Sequence, residues 1–212
     1  MSGAWPATLY SGRVGLRPLG LRDAGAWREV RARNQQWLTP WEATVPPGDQ
    51  SAPATFRAMV RDLHRQARAG RAMPFAVTVE EAFVGQLTVS NIVGGSARWA
   101  QIGYWIDQRF AGQGLMPTAV AMAVDHCLFE AGLHRIEVAI RPENTASLRV
   151  VQKLGFVEYG YATRYLHIDG AWRDHRLFAL TVEDVPGGLL RRFKTAGPPD
   201  APGPHSPDRA DT

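Results

Sequence analysis

The chain has one cysteine, Cys127, in 212 residues. A single thiol allows no intrachain disulfide and no zinc-ribbon spacing, so no cysteine framework holds this fold. The six histidines show no metal-ligand spacing, and no metal is expected. No apolar run reaches the roughly 18 residues that a membrane-spanning helix needs. The opening MSGAWPATLYSGR lacks the basic start and apolar core of a signal peptide. With no disulfide, leader or span, the cytoplasm is the default compartment. No internal repeat stands out.

What is present is ordinary for a globular protein: 45% hydrophobic and 21% charged residues. The length fits one domain with tails, or at most a small pair. The net charge of +4 is mildly basic. It suits an acidic small molecule or a ribosomal setting and proves neither. No membrane contact is expected, and no nucleic-acid contact except on a ribosome. The sequence leaves the oligomeric state open.

The organisation reads as a flexible N-terminus (1–12), a folded domain (13–184), a basic segment containing LLRRFK (185–196) and a disordered Pro/Gly-rich tail (197–212). Within the domain a short strand at 13–19 precedes two helices. Asp23 can cap the first, which runs through AGAWREVRARNQQWL. Ser51 and Pro53 open the second, with Phe56, Val60, Leu63 and Ala67 on one face and Gly70 at its end. The period then changes to two. MPFAVTVE, AFVGQLTVSNIV and ARWAQIGYWID read as an antiparallel meander of three strands. A helix from about Leu115 to Gly132, the strand HRIEVAI and a short helix ending at Gly155 follow. Two last strands turn at Asp169-Gly170, a dipeptide suited to tight hairpins. The order βααβββαβαββ gives an α+β (mixed α/β) domain around one sheet.

The stretch RFAGQG (109–114) lies between a strand and a helix. Free N–H groups and partial positive charge at a helix start suit an anion, and glycine lets phosphate oxygens approach the backbone. Leu115 and Met116 stand where a P-loop needs Lys and Ser or Thr, which removes that motif. No third glycine follows at dinucleotide spacing, and the antiparallel meander disfavours that fold. Arg109-Phe110-Ala111-Gly112-Gln113-Gly114, together with Asn144, Ser147 and Leu154-Gly155-Phe156 one strand later, resembles the coenzyme A site of the GNAT N-acetyltransferases. With GRVGLRPLGLRDA, WLTPWEA and IDGAWRDHRLFAL, the likeness narrows to the ribosomal-protein-alanine N-acetyltransferases of the RimJ type and spans roughly Val14 to Thr181.

That resemblance implies a curved, mostly antiparallel sheet split between its fourth and fifth strands, with acetyl-CoA as cosubstrate in the gap. It implies that backbone groups from Arg109 through Leu115 hold the pyrophosphate. Tyr104, Trp105 and Ile106 would align pantetheine and the acetyl carbonyl. Asn144 fits either a coenzyme contact or a helix N-cap. Ser147 would hydrogen-bond the departing thiolate. Relatives outside this subgroup with a tyrosine seven residues after the asparagine use it as acid; here that position is Val151, which leaves Ser147, a water or neither as the acid. Glu42, Asp107, Glu137, Asp174 and His175 are all candidates for the base, and Glu42 could attract a cationic acceptor amine. Cys127, on an apolar helix face, is a poor acyl carrier. The implied reaction is direct attack in a ternary complex by the N-terminal α-amine of a protein, notably a ribosomal one. The alternatives are a small amine acceptor (polyamine, amino acid or aminoglycoside) or a non-catalytic acyl-CoA-binding, ribosome-associated module.

Overall fold

The computed structural model describes residues 4–48 and 55–195. The strands are β1 (Leu9–Ser11), β2 (Val14–Pro18), β3 (Met73–Val79), β4 (Ala82–Val93), β5 (Trp99–Ile106), β6 (Arg135–Ile140), β7 (Val157–Ile168) and β8 (Ala171–Thr181). They form one sheet in the order β1-β2-β3-β4-β5-β6-β8-β7. Every neighbouring pair is antiparallel except β5 and β6.

The helices divide between the two faces of the sheet. Helices α4 (Leu115–Asp125), α5 (Thr145–Lys153) and α6 (Leu189–Thr195) cover the face that carries Leu16, Phe75, Leu87 and Ile136. Helices α1 (Ala24–Arg33), α2 (Gln35–Leu38) and α3 (Phe56–Arg68) flank the other. There Val30 and Val60 pack with Leu19, Ala76 and Phe83. β3 is buried along its whole length, which is why it reads as an unbroken apolar run. α4 is nearly as buried, so its sequence shows almost no polar stripe.

The feature that positions the site is the pairing of β5 with β6. These strands pair only over Trp99–Gln101 and Arg135–Glu137. Beyond that, β5 stays with β4 and β6 stays with β8, so the sheet opens into a V. This is the expected split. An extra N-terminal strand makes the parting strands fifth and sixth rather than fourth and fifth.

Several expectations change. The N-terminus is not loose throughout: β1 pairs with β2, and Ala4 and Trp5 pack into the core. Asp23 does not cap α1 through its side chain. Its carboxylate instead takes two bonds from the Arg17 guanidinium, 2.9 and 2.7 Å, and one from the Gly20 amide. The first helix breaks at Asn34, which is buried. The Asn34 amide donates to the Val30 carbonyl and its oxygen accepts from the Gln108 amide. Such local side-chain bonding competes with helix continuation. Ser51 and Pro53 lie outside the described residues; Thr55 is the N-cap of α3, its hydroxyl accepting from Ala58. α4 gives way to a π-helical turn over His126–Glu130. Gly70, Gly132 and Gly155 end their helices with left-handed backbone, as expected.

The basic segment is part of the domain. Leu189 is fully buried, and the Asp125 carboxylate of α4 accepts from the Leu189 and Leu190 amides at 2.6 and 3.0 Å. Arg192 donates to the Leu154 and Asp184 carbonyls. Residues 197–212, expected as a disordered tail, lie outside the described residues. Asp169 and Gly170 both have positive φ and close the β7–β8 hairpin. The hairpin end is tied to the loop after α2: Asp169 donates to the Glu42 carbonyl and Thr44 to the His167 carbonyl. No helix among the described residues is long and apolar enough to cross a membrane.

Candidate active site

The glycine loop is built from β5 outward. Asp107 ends the strand, its amide bonded to the Val84 carbonyl. Its carboxylate is 1% exposed and takes five donors: Nε and Nη2 of Arg33, and N, Nε and Nη2 of Arg109, at 2.8–3.1 Å. Burial alone would raise its pKa. The Arg109 and Arg33 guanidiniums outweigh burial and hold it well below the usual carboxylate range. Gly112 and Gly114 then both take φ +76°, which admits the turn into α4 and disfavours any L side chain. Among the described residues, the amides of Gly112, Gln113, Gly114, Leu115 and Met116 donate to no protein acceptor. Consecutive free amides at a helix start make an anion cradle.

The loop's side chains anchor it. Phe110 packs on the core and Leu115 is buried within it. Gln113 accepts from Arg13 and donates to the Arg109 carbonyl. The formal positive charge of Arg109 is shared with Asp107.

From this loop a cleft of about 650 Å³ runs along the V, bordered by Ala111, Gly112, Asn144 and Ser147 and, opposite, by Trp27, Arg31, Trp37, Glu42 and Phe56. A second cavity of about 210 Å³ lies between β5 and β6, lined by Ile140, Arg141, Leu166 and His175. Trp41, Tyr104, Asn144 and Ser147 border both, so the two cavities meet around Ser147.

The β5 residues split by strand alternation. Asp107 bonds back to β4, so Trp105 does too, while the backbone groups of Tyr104 and Ile106 point into the V. This corrects the expectation for Trp105, whose ring rather than backbone reaches the cleft. The Ile106 carbonyl already accepts from the Trp37 indole at 3.3 Å. The Tyr104 hydroxyl donates to the Ser147 carbonyl at 3.4 Å. Burial pushes that phenol well above tyrosine's usual range.

Asn144 is the N-cap of α5, its oxygen accepting from the Ser147 amide at 3.1 Å. Its Nδ2 has no partner among the described residues, so the cap leaves a donor for the cleft. The Ser147 hydroxyl is also without a partner among them. Val151 is fully buried, so the position where other relatives carry a tyrosine belongs to the core. Cys127 is buried as well, and burial pushes its thiol up to about 12, which leaves no thiolate to carry acetyl.

Four of the five candidate bases are occupied. Glu42 pairs with Arg31. Asp107 is the anchor above. Glu137 takes Arg135 at 2.6 Å and the Tyr159 hydroxyl at 3.0 Å. Asp174 takes the Arg164 amide and the Tyr161 hydroxyl, both at 2.8 Å, which lower its pKa in that order. His175 differs. It is 3% exposed, lines the smaller cavity, and packs edge-on against Tyr165. Its Nδ1 lies 3.0 Å from the Arg173 carbonyl. A carbonyl only accepts, so Nδ1 carries the proton and Nε2 keeps its lone pair. Burial, with help from the Arg141 charge, lowers its pKa.

The stretch WLTPWEAT (37–44), expected to border the acceptor side, lines the cleft through Trp37, Trp41 and Glu42; Trp27, Arg31 and Gln86 beside it were not singled out from sequence. The Arg31 guanidinium lies 5.1 Å from the Trp27 ring and 5.5 Å from Trp105, and Gln86 receives the Trp27 indole. Aromatic residues at helical spacing read as core, so no local signal separated Trp27 from a packing residue.

Residues 13–157 match the family model of the acetyltransferase (GNAT) domain. The chain belongs to the GNAT acetyltransferase family. This GNAT chain is 37% identical over 177 residues, 79% of its length and 88% of the relative's, to the [ribosomal protein uS5]-alanine N-acetyltransferase of Escherichia coli. It is 36% identical to the probable N-acetyltransferase YjcK of Bacillus subtilis, covering 80% of this chain and 94% of that one. Among solved structures it resembles Mycobacterium smegmatis RimJ in complex with CoA-disulfide, with a TM-score of 0.85 and 42% identity, covering 92% and 96% of the two chains. The GNAT chain is an N-acetyltransferase, and the V at β5 and β6 is the place in its fold that the resemblance gave to acetyl-CoA.

Proposed function

We propose that this enzyme transfers acetyl from acetyl-CoA to the N-terminal α-amine of a ribosomal protein, by direct attack in a ternary complex. The observation that carries the proposal is the meeting of two cavities at Ser147. One begins at the free amides of Gly112–Met116; the other holds the neutral His175. The likeness to proteins named for ribosomal-protein alanine acetylation supports the acceptor class.

The geometry supports the following roles. The Gly112–Met116 amides bind pyrophosphate. The Tyr104 and Ile106 backbone and the free Nδ2 of Asn144 hold the pantetheine arm. An outward N–H of β5 stabilises charge on the carbonyl oxygen as the amine attacks. His175 Nε2 takes the proton the nitrogen sheds on acylation, and the Ser147 hydroxyl hydrogen-bonds the departing thiolate. A weak base suffices for this acceptor. α-Amines have pKa values of about 7.7–8.0 against about 10.4 for lysine, so near neutral pH roughly a tenth are already uncharged. Glu42, the expected attractor of an acceptor ammonium, is already paired with Arg31 and adds no free negative charge for that role.

The test is coenzyme A release from acetyl-CoA with peptides bearing a free Ala or Ser N-terminus, N-blocked peptides carrying lysine, and small amines. Turnover on free N-termini alone is expected. Turnover on small amines alone would sink the acceptor assignment. Coenzyme binding without any turnover would favour a binding module.

A further inference from the structure

We infer that the exposed face of α3 is a docking surface for structured RNA, placed to hold the enzyme on an RNA-bound acceptor protein. This rests on the ribosomal reading of the acceptor.

Helix α3 and the turn after it carry Arg57, Arg61, Arg65, Arg68 and Arg71, five arginines in 15 residues. All five are exposed. At about 100° per residue, the four within the helix fall in an arc of about 80°. The opposite side of the same helix faces the core with Phe56, Met59, Val60 and Leu63. Arg57 to Arg68 therefore forms one straight basic stripe about 16 Å long. The one acidic residue of α3, Asp62, pairs with Arg65. Among the described residues, Arg57, Arg61 and Arg68 have no carboxylate partner. Exposed Arg28 of α1 borders Arg57 across a shallow hollow, extending the positive field.

Phe56 and Met59 line the larger cleft from the inner side of α3, and the arginines lie on the outer side of the same helix. Whatever lies along the stripe is therefore about one helix diameter, ~10 Å, from the acceptor cleft. A peptide N-terminus is itself a cation and gains nothing from these arginines. A phosphate backbone does, through charge and guanidinium hydrogen bonds. The face is poor for other polyanionic surfaces. No large exposed hydrophobic residue lies on α3, so it lacks the apolar anchors of a membrane-surface helix or of a protein hot spot.

The test uses the full chain and a fluorescent RNA hairpin, read by anisotropy across a salt series. The R57Q/R61Q/R68Q variant should lower the slope of log affinity against log salt by about 2–3 units, near one unit for each lost phosphate contact. The matching Arg→Lys triple should restore the slope. R191Q/K194Q, on the other basic patch, should leave it unchanged. Turnover of a short peptide should be the same in all four proteins, so loss of RNA binding and failure of the acceptor reading register separately. An unchanged slope in the Gln triple, no RNA binding by the parent protein, or tighter binding to phosphatidylserine vesicles than to RNA would each overturn the assignment.

Discussion

Replacing Asp107 with Asn separates anchoring from catalysis at the end of β5. Asn keeps the shape and one acceptor oxygen but removes the charge that Arg33 and Arg109 share. Removing one partner of a buried ion pair costs about 3–5 kcal/mol when the other stays buried. Here the Arg33 side chain is 28% exposed and that of Arg109 is 63% exposed, so both can regain water. About 2–3 kcal/mol is therefore expected. For a domain of this size each kcal/mol moves Tm by about 2–4 °C, giving a fall of about 4–12 °C by calorimetry. The KM for acetyl-CoA should rise, because Arg109 opens the coenzyme loop, while kcat changes little. The pH dependence has a definite sign. The folded Asp107 pKa lies below its unfolded value of about 3.9. Its contribution is therefore complete above about pH 4 and fades as pH falls further toward the folded value. The gap between wild type and Asp107→Asn should be constant from pH 7 to about pH 5 and narrow below pH 4. An unchanged Tm with a large drop in kcat alone would refute this and make Asp107 a base.

His175→Gln should lower kcat on peptides with little change in Tm or in acetyl-CoA KM. In the parent enzyme log(kcat/KM) should fall with a slope approaching about 2 once pH drops below imidazole's lowered pKa, under the ordinary value of about 6.5, as amine and imidazole both protonate; in the variant the slope should stay near 1. A slope of 2 in both would remove the histidine from the reaction. Ser147→Ala should reduce kcat with acetyl-CoA affinity intact by calorimetric titration, and normal turnover would end its proposed role. Gly112→Val should abolish coenzyme binding, because φ +76° strains a β-branched residue and its side chain enters the phosphate cradle; tight binding by the variant would place the pyrophosphate elsewhere. Asp125→Ala leaves the Leu189 and Leu190 amides uncapped and should cost about 1–2 kcal/mol in urea unfolding. No loss there would mean that α6 adds nothing to the fold.

The sequence by itself determined the order of β2 to β8 and of the main helices between them, the helix-ending glycines, the β7–β8 hairpin and the glycine loop between β5 and α4. Each is a local matter: period two or 3.6, a residue that tolerates positive φ, or a short motif between strand and helix. It also singled out Asn144 and Ser147 as candidates, three residues apart on one helix end. Tertiary structure decided what depends on partners far along the chain. Asp107 looked like any carboxylate until Arg33, 74 residues away, met it and turned it from a base into an anchor. Trp105 turned its backbone to β4 because register, not composition, sets which amides face the V. α6 joined the domain because Asp125 lies under its first turn. His175 was one of five candidates in the sequence. It stands apart in the fold because the other four are held by arginines, tyrosines and backbone amides that only the folded chain brings to them.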